Sequence, residues 1–194
     1  MKGADEMFII CLTSAYIKTE NGKNELETLI FEIGESKNTG SLSRLYELAS
    51  SAVYSFALSI LKNTHDAEDV LQDLFVVVYN SASSYKKGNP MAWMLTITKN
   101  LCLMKLRERT KTAQIPPQDW ENLFVDEIGI SQEERIVIES CLEKLSDQER
   151  QIVILHAVCD LKHKETAKLL NIPLATVLSK YQRALKKMRR MIGE

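Results

Sequence analysis

Apolar residues in this chain recur at the three-and-four spacing of an α-helix, and little interrupts them. Leu45, Ala49, Ala52, Val53, Phe56 and Ile60 keep to one helical face, and Val70, Leu71, Leu74, Phe75 and Val78 do so again. The 194 residues hold only seven glycines and four prolines, so few positions can break long helices. The pattern predicts an all-α fold. Thr64 or Asp66 is placed to cap the second of these helices. The β-branched run Val76-Val77-Val78 opposes it, but the periodicity outweighs that run. A shorter amphipathic segment, 26–33, precedes the first long helix. Asn89 as N-cap and Pro90 at the first helical position start a third long helix toward Arg109. Residues 24–109 read as one compact helical domain.

Between residues 110 and 130 the periodicity fails, and Pro116-Pro117, a run of acids and Gly129 mark a linker, 110–131. Two capping boxes follow, Ser131 with Glu134 and Ser146 with Glu149, each pairing a hydroxyl acceptor with a returning carboxylate. Four helices are expected in 132–194, with breaks near Ser146, at Asp160-Leu161 and at Asn171-Ile172-Pro173. The expectation is therefore two small helical domains joined by an acidic linker, behind an unassigned extension, 1–23. Within that extension, the apolar run 8–12 can pack on the domain or bind a regulator.

A net charge of −1 conceals a segregated charge pattern. Residues 112–134 carry six acids and no base, while 161–190 carry nine bases and one acid, Glu165. Residues 86–111 carry seven bases against Glu108. Two basic stretches flanking an acidic connector suggest two polyanion-binding modules on one chain. No apolar run approaches the ~20 residues of a membrane span. Asp5 and Glu6 stand where a signal peptide needs positive charge, so none is expected. Cys11, Cys102, Cys141 and Cys159 are scattered without a CxxC pair, which argues against a disulfide scaffold or zinc ribbon and for a reduced, cytoplasmic protein.

The sharpest local signal lies between His163 and Lys180. Ala167, Asn171 four residues later and Val177 six later fit a helix-turn-helix: a small residue where the helices touch, a residue tolerant of positive φ at the turn, and an apolar residue packing back. Pro173 opens the second helix, expected over 174–188. Its positions Thr176, Ser179, Lys180, Gln182 and Arg183 are the candidates to meet base edges and phosphates in a major groove.

At these residues the chain resembles a known family. Leu145-Ser-Asp-Gln-Glu-Arg-Gln-Ile-Val-Ile-Leu155 followed by Lys164-Glu-Thr-Ala-Lys-Leu-Leu-Asn-Ile172 is similar to the carboxy-terminal domain of extracytoplasmic-function RNA polymerase sigma factors. Asp66-Ala-Glu-Asp-Val-Leu-Gln-Asp-Leu-Phe75 resembles the D-A-E-D-x-x-Q-x-x-F helix of the family's amino-terminal domain. Ala92-Trp93-Met94 with Ile97, Asn100, Leu101 and Arg107 resembles its A-W-L-x-x-I-x-x-N-L helix, and Leu45-Tyr46-Glu47 its L-Y-E entry. The likeness covers 24–109 and 132–194 in the family's order. It departs at Met104, where Asp is common, at Pro173 and Ala175, where Ser and Gly are common, and at Leu178, often basic.

The resemblance implies a dissociable initiation factor without catalysis or cofactor of its own. Asp66, Glu68, Asp69, Gln72 and Phe75 would dock on the clamp coiled coil of core RNA polymerase, a second contact falling on the flap. Acids and an amide beside an apolar anchor suit a basic helical partner. In the bland reading, Asp66, Glu68 and Asp69 only complement the positive end of their helix. Tyr85, Lys86, Lys87, Asn89, Lys99 and Asn100 would engage the minus-ten element, where a non-template base is unstacked and captured. Trp93 is a candidate wedge, but its spacing suits the core better. Thr176, Ser179, Lys180, Gln182 and Arg183 would read the minus-thirty-five element, and the acidic linker would thread near a basic RNA exit path. An anti-sigma factor is a further implied partner.

Rival readings remain on the residues alone. A free-standing helix-turn-helix regulator explains the basic tail but not the helix at 66–75. A carboxylate-metal phosphoesterase needs ligands from more than one segment, and no partner set is evident. A module that merely sequesters polymerase would bind core without initiating. His156 and Cys159 stand three apart, a metal-compatible spacing, yet two ligands are not a site. His65 and His163 have no nucleophile nearby for a triad, and no P-loop or dinucleotide fingerprint occurs.

Overall fold

The computed structural model describes residues 20–112 and 132–192, and within them the chain forms eight α-helices, one 3₁₀ turn and no strand. In chain order these are α1 (Glu20–Ser36), α2 (Thr39–Leu61), α3 (Thr64–Ser81), the 3₁₀ turn (Ala82–Ser84) and α4 (Pro90–Thr112). Then follow α5 (Gln132–Glu143), α6 (Asp147–Ala157), α7 (His163–Leu170) and α8 (Leu174–Ile192). The fold is all-α, with two helical units in sequence. Ser131, the proposed 131/134 capping box, most of the linker and the apolar run 8–12 lie outside the described residues.

In the first unit, α2 is the central helix, packed by α1, α3 and α4. The predicted stripes are its core: Leu45, Ala49, Val53 and Phe56 are fully buried, as are Leu74 and Val78 of α3. Three expectations shift at the helix ends. The segment expected over 26–33 is a 17-residue helix, α1, because Leu26, Ile30 and Ile33 anchor a full-length face. The cap of α3 is Asn63, whose Oδ1 accepts from the Asp66 N–H at 3.0 Å, rather than Thr64 or Asp66. Asn63 takes the extended backbone an N-cap needs, with φ −152° and ψ 124°, which leaves Thr64 inside the first turn. The third long helix runs on to Thr112. Asn89 caps it as expected, its Oδ1 accepting from the Ala92 N–H at 3.1 Å. Gly34 marks where α1 meets the 3₁₀ turn: a Cβ there would lie 3.0 Å from the Ser83 nitrogen and 3.1 Å from the Ala82 carbonyl carbon.

The second unit has the four expected helices and breaks. The Ser146–Glu149 capping box is formed in both directions. Arg150, 3% exposed, donates to the carbonyls of Leu142, Glu143 and Leu145 and so closes the end of α5. Asn171 sits in the left-handed region at φ 55°, ψ 47°, as the turn requires, and α8 extends to Ile192.

The two units also pack on each other, α2 against α6 and α4 against α7. Ion pairs Lys23–Asp160 and Lys62–Asp147, both 2.7 Å, cross between them. Cys159 Sγ donates to the Ala52 carbonyl across the same boundary at 3.5 Å. The helix α6 ends at Ala157, so His156 and Cys159 do not share a helix as their spacing suggested.

Candidate functional site

The helix α3 divides the expected docking residues by depth. Glu68, Asp69 and Gln72 are exposed on its outer face. Asp66 lies in its first turn and is committed inward: it pairs with Arg109 of α4 and with Lys105 at 3.5 Å. Phe75 is buried, only 6% exposed, and packs on Tyr46 with ring centroids 4.8 Å apart. Asp66 and Phe75 therefore hold α3 in place, and the accessible face is Glu68, Asp69 and Gln72. Asp69 also receives Lys105 at 2.6 Å, a bond that is mostly exposed and so weakly held. Two accessible neighbours escaped the sequence reading: Tyr46, 45% exposed, and Val76, 59% exposed, complete an acidic surface with apolar edges. The L-Y-E entry signalled Tyr46, although it gave no depth.

The second candidate cluster surrounds the start of α4. Lys86 and Lys87 are exposed in the connecting loop, and Asn100 is exposed on α4. Tyr85 is not available as a stacking platform in this arrangement. It is 6% exposed, its ring lies 5.6 Å from Phe31 and 5.2 Å from Trp93, and its hydroxyl donates to the Gly88 carbonyl at 3.0 Å. Burial, with Glu27 beside it, pushes the Tyr85 hydroxyl up to about 12. Its role is to pin the loop that carries the two lysines. Trp93 packs on Tyr85, in line with the core assignment its spacing favoured. Asn89 and Lys99 face the second unit: Asn89 Nδ2 donates to Glu165 at 2.9 Å, and Lys99 Nζ donates to the Leu169 carbonyl at 2.6 Å.

The third cluster is α8, whose inward stripe is Val177, Tyr181, Ala184 and Met188. Ser179, Gln182 and Arg183 are exposed, whereas Thr176 and Lys180 are half-buried on the flank toward the rest of the unit. On that flank Lys187 donates to Glu149 of α6 at 2.7 Å. Burial raises the Glu149 carboxyl, but the bonds from Lys187 and Ser146 outweigh it and hold it at about 2. Leu178, singled out in the sequence only as a departure from the family pattern, is 44% exposed, and with Leu174, 42% exposed and not singled out there, it stands at i, i+4 near the start of α8.

Elsewhere the titratable groups serve structure. His156, His163 and Tyr181 form a ring cluster with centroids 4.2–5.0 Å apart. Burial, then the neighbouring His156, lowers the His163 imidazole. Among the described residues no group of three or more His, Cys, Asp or Glu is placed to hold a metal ion. Nor is any described helix long and apolar enough to cross a membrane.

Comparison with known proteins meets this geometry at both units. The family described as Sigma-70 region 2 matches residues 45–112, and that described as Sigma-70, region 4 matches residues 135–188. The chain is 26% identical over 181 residues to the ECF RNA polymerase sigma factor SigK of Mycobacterium sp. (strain KMS), covering 87% of this chain and 91% of that one. It is 27% identical over 169 residues to the ECF RNA polymerase sigma factor SigE of Mycolicibacterium smegmatis, covering 84% of this chain and 66% of the relative. Among solved structures, the sigma factor RpoE in complex with the anti-sigma factor NepR from Bartonella quintana superposes with a TM-score of 0.60 at 23% identity, over 77% of this chain and 95% of that one. CnrH in complex with the cytosolic domain of CnrY gives a TM-score of 0.58 at 20% identity, over 87% and 97% of the two chains. At these identities the structural likeness speaks for the fold.

Proposed function

This chain belongs to the extracytoplasmic-function group of sigma-70 RNA polymerase sigma factors, and on that premise we propose how its surfaces divide the work of promoter-specific initiation. The first unit, 24–109, docks core polymerase through Glu68, Asp69 and Gln72 of α3, with Asp66 and Phe75 fixing the helix behind them. It engages the minus-ten element through Lys86, Lys87, Asn89, Lys99 and Asn100, with Tyr85 pinning the loop. The second unit, 132–194, reads the minus-thirty-five element with α8. The protein acts in the cytoplasm, carries no catalytic group, and is a candidate for capture by an anti-sigma factor. A free-standing regulator, the runner-up, leaves the exposed acidic face of α3 without a purpose.

The observation that carries this division is the separation of charge: an acidic docking face on α3, and cationic faces on α4 and α8. Joining two weak DNA contacts on one chain makes the second contact intramolecular, which favours correctly spaced promoters. In the closed arrangement Asn89 and Lys99 are spent on Glu165 and the Leu169 carbonyl. Engaging DNA therefore competes with contacts between the units, and the two must separate on the polymerase. The test is binding to purified core polymerase. The double variant Glu68→Lys/Asp69→Lys is expected to lose core binding at least tenfold while its circular dichroism and melting stay those of the parent. Unchanged core binding would overturn the assignment of α3.

A further inference from the structure

We propose that Leu178 is a specificity-determining residue that reads the 5-methyl group of a thymine in the upstream promoter element. The inference rests on the reading of α8 as the recognition helix and adds the base chemistry it selects. At 100° per residue, Leu178 points opposite to Lys187, which is tied to α6 through Glu149. Both stand about a quarter-turn from the buried stripe of Val177, Tyr181, Ala184 and Met188, on opposite flanks, and Leu178 is 44% exposed on the flank without that tie. Leu174 lies one turn earlier on that flank, and Ala175 is exposed beside them. The cations of the helix, Lys180, Arg183, Lys186, Lys187, Arg189 and Arg190, all follow Leu178, most of them by a turn or more.

That order matters for what each part of the helix can meet. The first turns of a recognition helix approach base edges, and groups further along reach the phosphates. Beside the polar Thr176, Ser179 and Lys180, the first turns expose Leu174, Ala175 and Leu178, none of which can bond a guanine or adenine edge. The thymine 5-methyl is the apolar feature that the major groove displays. Against a G·C pair, the same leucine would strip water from a donor or acceptor and return nothing. The cationic turns that follow supply the phosphate attraction that would seat this apolar end in the groove.

The experiment is open-complex formation by the full chain with core polymerase on a promoter fragment that it transcribes. Each thymine of the upstream element is replaced singly by deoxyuridine, which removes the methyl and keeps the pairing edge. Loss of one buried methyl corresponds to about fourfold weaker binding. The parent protein is expected to lose about that factor at one or two thymines. Leu178→Ala should bind the unmodified promoter more weakly and be indifferent to deoxyuridine at one of them, while Leu178→Met keeps the sensitivity. If scrambling the whole element weakens the complex but no single deoxyuridine does, the Leu178 assignment is overturned and α8 remains a DNA reader. The assignment is likewise overturned if Leu178→Ala loses equally on thymine and deoxyuridine templates, since the leucine then serves a protein contact. If neither scrambling nor Arg183→Ala has any effect, the reading of α8 itself falls, and this inference with it.

Discussion

Asp66 shows how a motif residue can hold a surface without belonging to it. Its carboxylate faces Arg109 and Lys105 on α4, partly shielded from water, and α3 is held where Glu68, Asp69 and Gln72 can be reached. Removing one partner of such a pair leaves the other desolvated and unpaired. Asp66→Ala is expected to lower stability by about 2–3 kcal/mol, seen as a lower melting temperature. Glu68→Ala, on the exposed face, should leave stability within about 0.5 kcal/mol. Equal melting of the two variants would contradict the division of α3 by depth. Glu149 is testable through pH. Its folded carboxyl is held at about 2, below the ordinary 4.5, so the folded form binds fewer protons in that window. The stability it contributes is complete above pH 4.5 and is lost as pH falls toward 2. Glu149→Gln should flatten that acid limb in denaturant melts run from pH 6 to pH 2, and an unchanged slope would count against the Lys187–Glu149 link.

Among the helices, the sequence and the structure agree wherever one apolar face had to be buried. The period of 45–60 and 70–78 needs a helix of fixed phase, and the Asn89-Pro90 and Ser146–Glu149 starts have a chemistry that few other arrangements satisfy. Helix ends are less legible because Asn63, Thr64 and Asp66 all carry suitable oxygens; the backbone path out of Lys62, left-handed at φ 54°, selects Asn63. Depth is hidden for a related reason. Nothing in the loop 83–89 says that Tyr85 folds back between Phe31 and Trp93, since that depends on α1, some fifty residues earlier. Gly34 makes the same join testable. A methyl there meets backbone of the 3₁₀ turn, which cannot turn aside as a side chain can. Gly34→Ala is expected to cost about 1–3 kcal/mol and to loosen the loop bearing Lys86 and Lys87, read as faster amide exchange over 82–89. Exchange at the parental rate would show that the turn yields without cost.

Together the two units form a closed body, and the contacts that join them leave little mark on the sequence. Periodicity tells which face is apolar but not which distant element covers it, and Lys99 ends on a backbone carbonyl that any residue type could offer. On the proposed division of surfaces, Asn89 and Lys99 reach promoter DNA only if this closed form opens, since both are bonded to the second unit. Cys159, 1% exposed with Sγ on the Ala52 carbonyl, reports on the opening, while Cys102 lies buried within the first unit. Alkylation of Cys159 by a maleimide is expected to be slow in the free protein and at least tenfold faster in the initiation complex, with Cys102 protected in both. Protection of Cys159 throughout would mean that the units stay joined on the polymerase.

Whether one polymerase-docking helix carries two DNA-reading units to promoters is decided by run-off transcription with purified core polymerase on a pool of promoter fragments. With the parent protein, transcripts are expected that share two spaced upstream elements and that disappear with Glu68→Lys/Asp69→Lys. Protein-independent transcription, or no transcript while the protein alone shifts duplex DNA, would contradict that division of labour.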